Sequence, residues 1–324
     1  MQVDYIVVGL GLAGLAFTQE LEKNSKSFIV FEDASQNSSL VAGGMYNPVI
    51  LKRFSPVWNA ISQLEKAIPF YKCLENKFSK KYDYKVDIFR IFKSVEEQNN
   101  WFIASDKPKL SPFMDTHIHT KTYQGIASEF GYGRIVKTGR IDTVNLLKDY
   151  KNYLETKLQL IYSSFNYEDL IVSEKTIVYK NISAKKIVFC EGFGIQKNPF
   201  FKHLPMVEVK GELITIYAPE LNVDFLIKAA VFVLPLGNNY YRVGATFNWK
   251  DKTLDPTIEG KQELVSKLKT FITVPFKVVE HKAGIRPTVK DRRPLVGKHP
   301  KHQNLAVLNG LGTRGVMIAP TVAE

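Results

Sequence analysis

Three glycines near the N-terminus, in Gly9-Leu10-Gly11-Leu12-Ala13-Gly14, are followed roughly 20 residues on by Glu32. Residues of these types at this spacing bind phosphate and ribose. The first glycine permits a tight strand-to-helix turn, the second lets backbone approach a pyrophosphate, and the third lets helix and strand pack closely. The turn opens a helix at Leu12 and Ala13, whose unpaired N–H groups and positive dipole end favour an anion. Glu32 can accept hydrogen bonds from a ribose 2′-OH and would repel a 2′-phosphate, which points to FAD or NAD rather than NADP. Asp33, Ser38 and Ser39 in the following polar loop, and the Gly43-Gly44-Met45 loop after it, extend this candidate nucleotide site. One position departs from the common pattern: Thr18 stands where a small residue is usual, which predicts a slightly wider gap between helix and sheet.

The elements that must hold these residues are legible from periodicity. Asp4 to Val8 and Phe28 to Phe31 read as buried strands on either side of the first helix. Helical spacing runs from about Trp58 to Phe78, and strand-like stretches cover Val86–Phe92, His117–Tyr123 and Gly133–Lys137. Asp142 is placed to cap a helix that continues to Leu154. Lys185 to Cys190 reads as a buried strand that ends at Gly192 and returns to the nucleotide unit. Strands follow at Val209–Ile216, Ala230–Leu234 and Tyr240–Ala245, the last two joined by an Asn238-Asn239 turn. Pro256–Phe271 is helical and Val278–Ala283 extended.

The bulk numbers exclude several classes. A chain of 324 residues, 45% hydrophobic, can bury a large core. It has no apolar run long enough to span a membrane and no signal-peptide layout, so a cytoplasmic location is expected. Cys73 and Cys190 are too few for a disulfide framework and read as structural and reduced. His117 and His119 alternate along one strand and read as a solvent-facing pair rather than metal ligands. The net charge of +12 is uneven. The first fifty residues are acidic, whereas Arg286, Lys290, Arg292, Arg293, Lys298 and Lys301 face only Asp291, a stretch that reads as a solvated face or an anion-attracting one.

The C-terminal stretches Ala283-Gly284-Ile285-Arg286-Pro287 and Asn309-Gly310-Leu311-Gly312-Thr313-Arg314-Gly315-Val316, together with the N-terminal glycines, Val209-Lys210-Gly211-Glu212 and Val243-Gly244-Ala245-Thr246, carry a resemblance. The whole chain resembles the FAD-dependent D-amino acid oxidase family, in particular glycine oxidases and the flavin domain that trims carboxymethylaminomethyl-uridine in tRNA. The resemblance implies an α/β fold, α+β overall: a Rossmann-like FAD-binding domain (1–80, 140–208 and 285–324) and a substrate-binding domain (81–139 and 209–284) on a mainly antiparallel sheet. It implies noncovalent FAD, because neither cysteine stands beside the Arg286 motif where related enzymes link the flavin. Gly310, Leu311, Gly312, Thr313, Arg314, Gly315 and Val316 would contact the flavin and oppose negative charge near its N1 and O2.

In the family's pattern Arg286 holds the substrate carboxylate, a task that suits a permanently charged, two-pronged guanidinium. A structural salt bridge is the plainer alternative, with Asp291 as a local structural partner. Phe232 replaces a substrate-site tyrosine of glycine oxidases, leaving Tyr241 or Tyr240 to supply a phenol, and Arg314 fits the tRNA-processing relatives better than the glycine oxidases. Relatives continue the terminal helix beyond Glu324, so this chain is read as shortened or compact. The function implied is oxidation of the C–N bond of a small amine or amino acid by hydride transfer to flavin N5. The alternatives are the same chemistry on modified uridine in tRNA, or FAD binding without turnover.

Overall fold

The computed structural model describes residues 1–324. Two eight-stranded sheets carry the chain. At the centre of the first, Gln2–Val8 runs parallel to Phe28–Glu32 on one side and Ile182–Phe189 on the other, and Leu305–Asn309 adds in parallel beyond. Val, Ile and Phe fill these strands because both faces are covered, as a parallel sheet requires. Val7 and Val30 face the helices Leu12–Lys23, Thr143–Thr156 and Gly315–Ala323, while Ile6, Val8 and Phe31 pack on the opposite side with Tyr179, Phe189 and Phe201. Asp142 caps its helix by accepting from the Asn145 N–H.

The second sheet runs in the order Lys277–Arg286, Val209–Tyr217, Tyr240–Gly244, Phe232–Gly237, Leu226–Lys228, Ile88–Ile91, Tyr132–Ile135, Met114–His119. It is antiparallel except where Leu226–Lys228 meets Ile88–Ile91. Asn238 and Asn239, at φ 50° and 62°, make the tight hairpin turn that asparagine tolerates. Alternation then sorts the side chains. Ile214, Ile216, Tyr241 and Val243 bury against the helix Ile258–Lys269, whereas Leu213, Phe232 and Leu234 face the nucleotide-binding half.

Several expectations shift. Thr18 does not stand the helix off: a Cβ on Gly14 would lie 2.1 Å from the Gly9 carbonyl oxygen, and Thr18 is fully buried, sharing a hydrogen bond of 3.0 Å with Tyr150. The strand expected at Val86–Phe92 is the shorter Ile88–Ile91 of the large sheet, and Asp83–Lys85 just before it, not anticipated as a strand, joins a separate three-stranded sheet. The strand expected at His117–Tyr123 is Met114–His119, and Tyr123 leaves it to pack edge-to-face with Tyr132 and Phe225. His117 and His119 both bond Asp115, at 3.1 and 3.0 Å. Cys73 is exposed rather than structural, while burial pushes the Cys190 thiol well above its ordinary range. No helix is long and apolar enough to cross a membrane.

Candidate functional site

A cavity of about 670 Å³ lies between the carboxyl ends of the parallel strands and the inner face of the antiparallel sheet. Its nucleotide end is lined by Gly9, Gly11, Leu12, Ala13, Glu32, Asp33, Ser38 and Ser39. Gly9 adopts φ +93°, and a Cβ there would meet the Cys190 carbonyl oxygen at 2.6 Å, so only glycine makes this turn. Glu32 is buried and already engaged. Its Oε2 accepts from the Leu10 N–H at 2.6 Å, and its Oε1 accepts from the Ala34 N–H and the Lys151 ammonium, each at 3.1 Å. The carboxylate therefore braces the glycine turn while lining the cavity.

Further along, Gly43, Gly44, Met45, Gly192, Leu311, Gly312, Thr313, Gly315 and Val316 line the wall. Gly192 has nothing within 4 Å of where a Cβ would stand, so a side chain there would occupy the cavity itself. Leu311 to Gly315 lead into the helix Gly315–Ala323, which Tyr71 anchors by donating its hydroxyl to the Val316 carbonyl at 2.9 Å.

Across the cavity stand Gly211, Leu213, Phe232, Ala245, Phe247, Gly284 and Arg286. The Arg286 guanidinium donates to the Lys210 carbonyl at 3.4 Å and the Thr246 carbonyl at 3.2 Å, and lies 4.5 Å from the Phe247 ring centroid. No carboxylate pairs with it, and burial lowers its pKa to about 10. Asp291 instead accepts from the Arg293 N–H at 2.9 Å within its own turn. A part-buried cation held by neutral carbonyls and an aromatic ring has its charge available for an anion entering the cavity.

Four expected site residues do not line the cavity. Tyr241 points to the other face of its strand, where its hydroxyl accepts from the Val223 N–H at 3.4 Å; a one-residue offset along a strand reverses the side. Arg314 stands at the start of the terminal helix, where its side chain makes no capping bond, and is desolvated beside Arg292, which lowers its pKa. Gly310 turns against Val289 and Leu295, and Gly14 against the Gly9 carbonyl, so both shape the backbone from behind. Conversely, Lys228, Glu191, Tyr167, Phe247 and Gly211 line the cavity without having been singled out as site residues. Gly211 lay within a motif already noted, but nothing local in the sequence marks Lys228.

These residues fit a flavin dinucleotide. Glycines clear the wall at Gly192, helices open toward the cavity at Leu12 and Gly315, and the volume lies in the range of cofactor sites. Fold and site together define a dinucleotide-binding protein with a second, sheet-walled chamber. The chain belongs to the FAD dependent oxidoreductase family, whose model matches residues 4–324, and the cofactor of that family is FAD. The glycine oxidase of Bacillus subtilis (strain 168) is 28% identical over 134 residues, 39% of this chain and 36% of that protein. The tRNA 5-methylaminomethyl-2-thiouridine biosynthesis bifunctional protein MnmC of Campylobacter concisus (strain 13826) is 24% identical over 300 residues, 90% of this chain and 46% of that protein. The chain thus spans less than half the length of these curated relatives. Among solved structures, iminodiacetate oxidase from Chelativorans sp. BNC1 superposes with a TM-score of 0.81 at 15% identity, covering 98% of this chain and 93% of that one. Glycine oxidase from Geobacillus kaustophilus gives 0.76 at 18% identity, covering 99% and 92%. At such identities the likeness is one of fold.

Proposed function

We propose that the protein oxidises the C–N bond of a small amine or amino acid whose carboxylate is held by Arg286. The observation that carries this reading is a cavity-lining guanidinium that makes no ion pair. FAD, when bound, supplies the acceptor for the electrons removed from that bond. The chain's own part is to bind and orient. Two parallel hydrogen bonds from Arg286 fix the carboxylate and hence the carbon beside it, while Phe232 and Leu213 form an apolar wall that excludes water. No side-chain acid or base is assigned, since a neutral amine needs none to lose hydride. The division into an FAD-binding and a substrate-binding domain follows the two sheets, and the location proposed is cytoplasmic.

Binding of FAD is proposed to be noncovalent: acid precipitation should leave the yellow colour in the supernatant. The primary test is an anaerobic titration of the yellow protein with glycine, sarcosine and D-amino acids. Bleaching of the flavin band by one of these supports the reading, and no bleaching by any small amine overturns it.

A second reading, processing of carboxymethylaminomethyl-uridine in tRNA, draws on two observations. The similarity to the Campylobacter concisus protein extends over 90% of this chain, and Arg293 in the basic stretch lies 4.3 Å from the ring centroid of half-exposed Trp58, pairing a cation with an aromatic surface. Bleaching by the modified nucleoside alone, with RNA binding that weakens steeply in salt, would favour it.

A further inference from the structure

We propose that Lys228 forms a second anion-binding position in the cavity, so that the preferred substrate is an amine bearing a second acidic group, distant from the carboxylate held by Arg286. The inference rests on the reading of Arg286 above. Lys228 lines the same cavity and is the direct cross-strand partner of Phe232, so the two share a face. Its other neighbour is Arg90, across the parallel pair. Of the cations around it, Arg90 pairs with Glu97 at 2.6 Å and Lys267 with Glu263 at 2.5 Å, while Lys93 makes no ion pair but is exposed to water. The Lys228 ammonium has no partner, and burial, reinforced by Arg90, Lys267 and Lys93, lowers its pKa to about 8. A part-buried, unpaired ammonium facing a ligand cavity lacks one thing, an anion, and the ligand is where one would come from.

Spacing sets the kind of molecule. The strands bearing Lys228 and Arg286 are separated by three others. Four spacings of about 4.8 Å put their backbones roughly 19 Å apart. Two long side chains entering the cavity from that separation suit acidic groups several bonds apart. The distal group can be a carboxylate or a phosphate, which share this chemistry.

The test uses the FAD-loaded protein and ligands that cannot be oxidised: acetate, glutarate and 3-phosphonopropionate, each followed by its perturbation of the flavin absorbance. The wild type should bind glutarate or 3-phosphonopropionate at least about tenfold more tightly than acetate. Lys228→Met should erase that preference while acetate still binds, and Lys228→Arg should keep it. The preference should also fade as pH rises through about 8, because the free ammonium then deprotonates. A marked advantage of 3-phosphonopropionate over glutarate identifies the distal group as phosphate-like, and the reverse as a carboxylate. Equal affinity for acetate and the dianions in the wild type, no binding of any of them, or a preference that survives Lys228→Met, overturns the proposal. Failure of the Arg286 reading shows separately, as acetate binding that Arg286→Ala leaves unchanged.

Discussion

The Arg286 guanidinium occupies the space that any side chain at Gly211 would need: a Cβ built on Gly211 would lie 1.9 Å from Nη2. The two residues sit on neighbouring antiparallel strands, with Gly211 opposite Gly284, so the missing side chain on one strand is what lets the arginine fold across it. Gly211→Ala should therefore displace the guanidinium without touching the nucleotide end. The expected result is at least about tenfold weaker binding of a carboxylate ligand, as for a lost charge-assisted hydrogen bond, with FAD retained. Titration of acetate and of FAD into the same variant separates the two, and undiminished acetate affinity would remove Gly211 from this role.

Truncating the arginine is the direct counterpart. Arg286→Ala should weaken carboxylate binding by about 10- to 100-fold and leave the FAD dissociation constant within about twofold. Arg286→Lys should recover only part of the loss, because an ammonium cannot form the paired bonds. Equal loss of FAD and carboxylate affinity in Arg286→Ala would show the side chain to be structural.

The glycine turn and its brace predict a coupled loss. Glu32→Ala leaves the buried Leu10 N–H without its 2.6 Å acceptor and Lys151 without its counter-ion. An orphaned buried donor costs about 1–3 kcal/mol. The melting temperature and FAD affinity should fall together, and Glu32→Gln, which can still accept from Leu10, should restore most of the stability. A Glu32→Ala protein that melts like the wild type would argue against the brace.

How far such sites could be read in advance depended on whether the signal was local. Gly9, Gly11 and Glu32 were legible because a tight turn at positive φ and a strand-end carboxylate leave a mark within one βαβ unit. Arg286 came from a motif whose partners, the Lys210 and Thr246 carbonyls, lie 76 and 40 residues away. Tyr241 was misplaced because strand parity, not residue type, decides the face. Lys228 was invisible for a related reason: a lysine in a short strand looks like solvent-facing charge until the register sets it beside Phe232. The short strands at 160–162, 170–172 and 177–179 also escaped, their pairing being set by distant neighbours rather than by their own pattern.

Glu191 offers a test by pH. It follows the strand Ile182–Phe189, lines the cavity, accepts from the Asn198 amide at 2.8 Å and from the Tyr167 hydroxyl, and is pushed up to about 7 by burial in spite of those donors. An acid raised in the folded state favours folding fully below its ordinary value of 4.5, and that contribution is lost as pH climbs through about 7. The change across this window is at most about 3 kcal/mol. Glu191→Gln cannot ionise and lacks the dependence. The stability of the wild type relative to Glu191→Gln should fall between pH 4.5 and pH 7 and level off above, as read by urea unfolding at a series of pH values. A difference that stays constant from pH 4.5 to pH 8 would mean that Glu191 ionises as freely in the fold as in the unfolded chain.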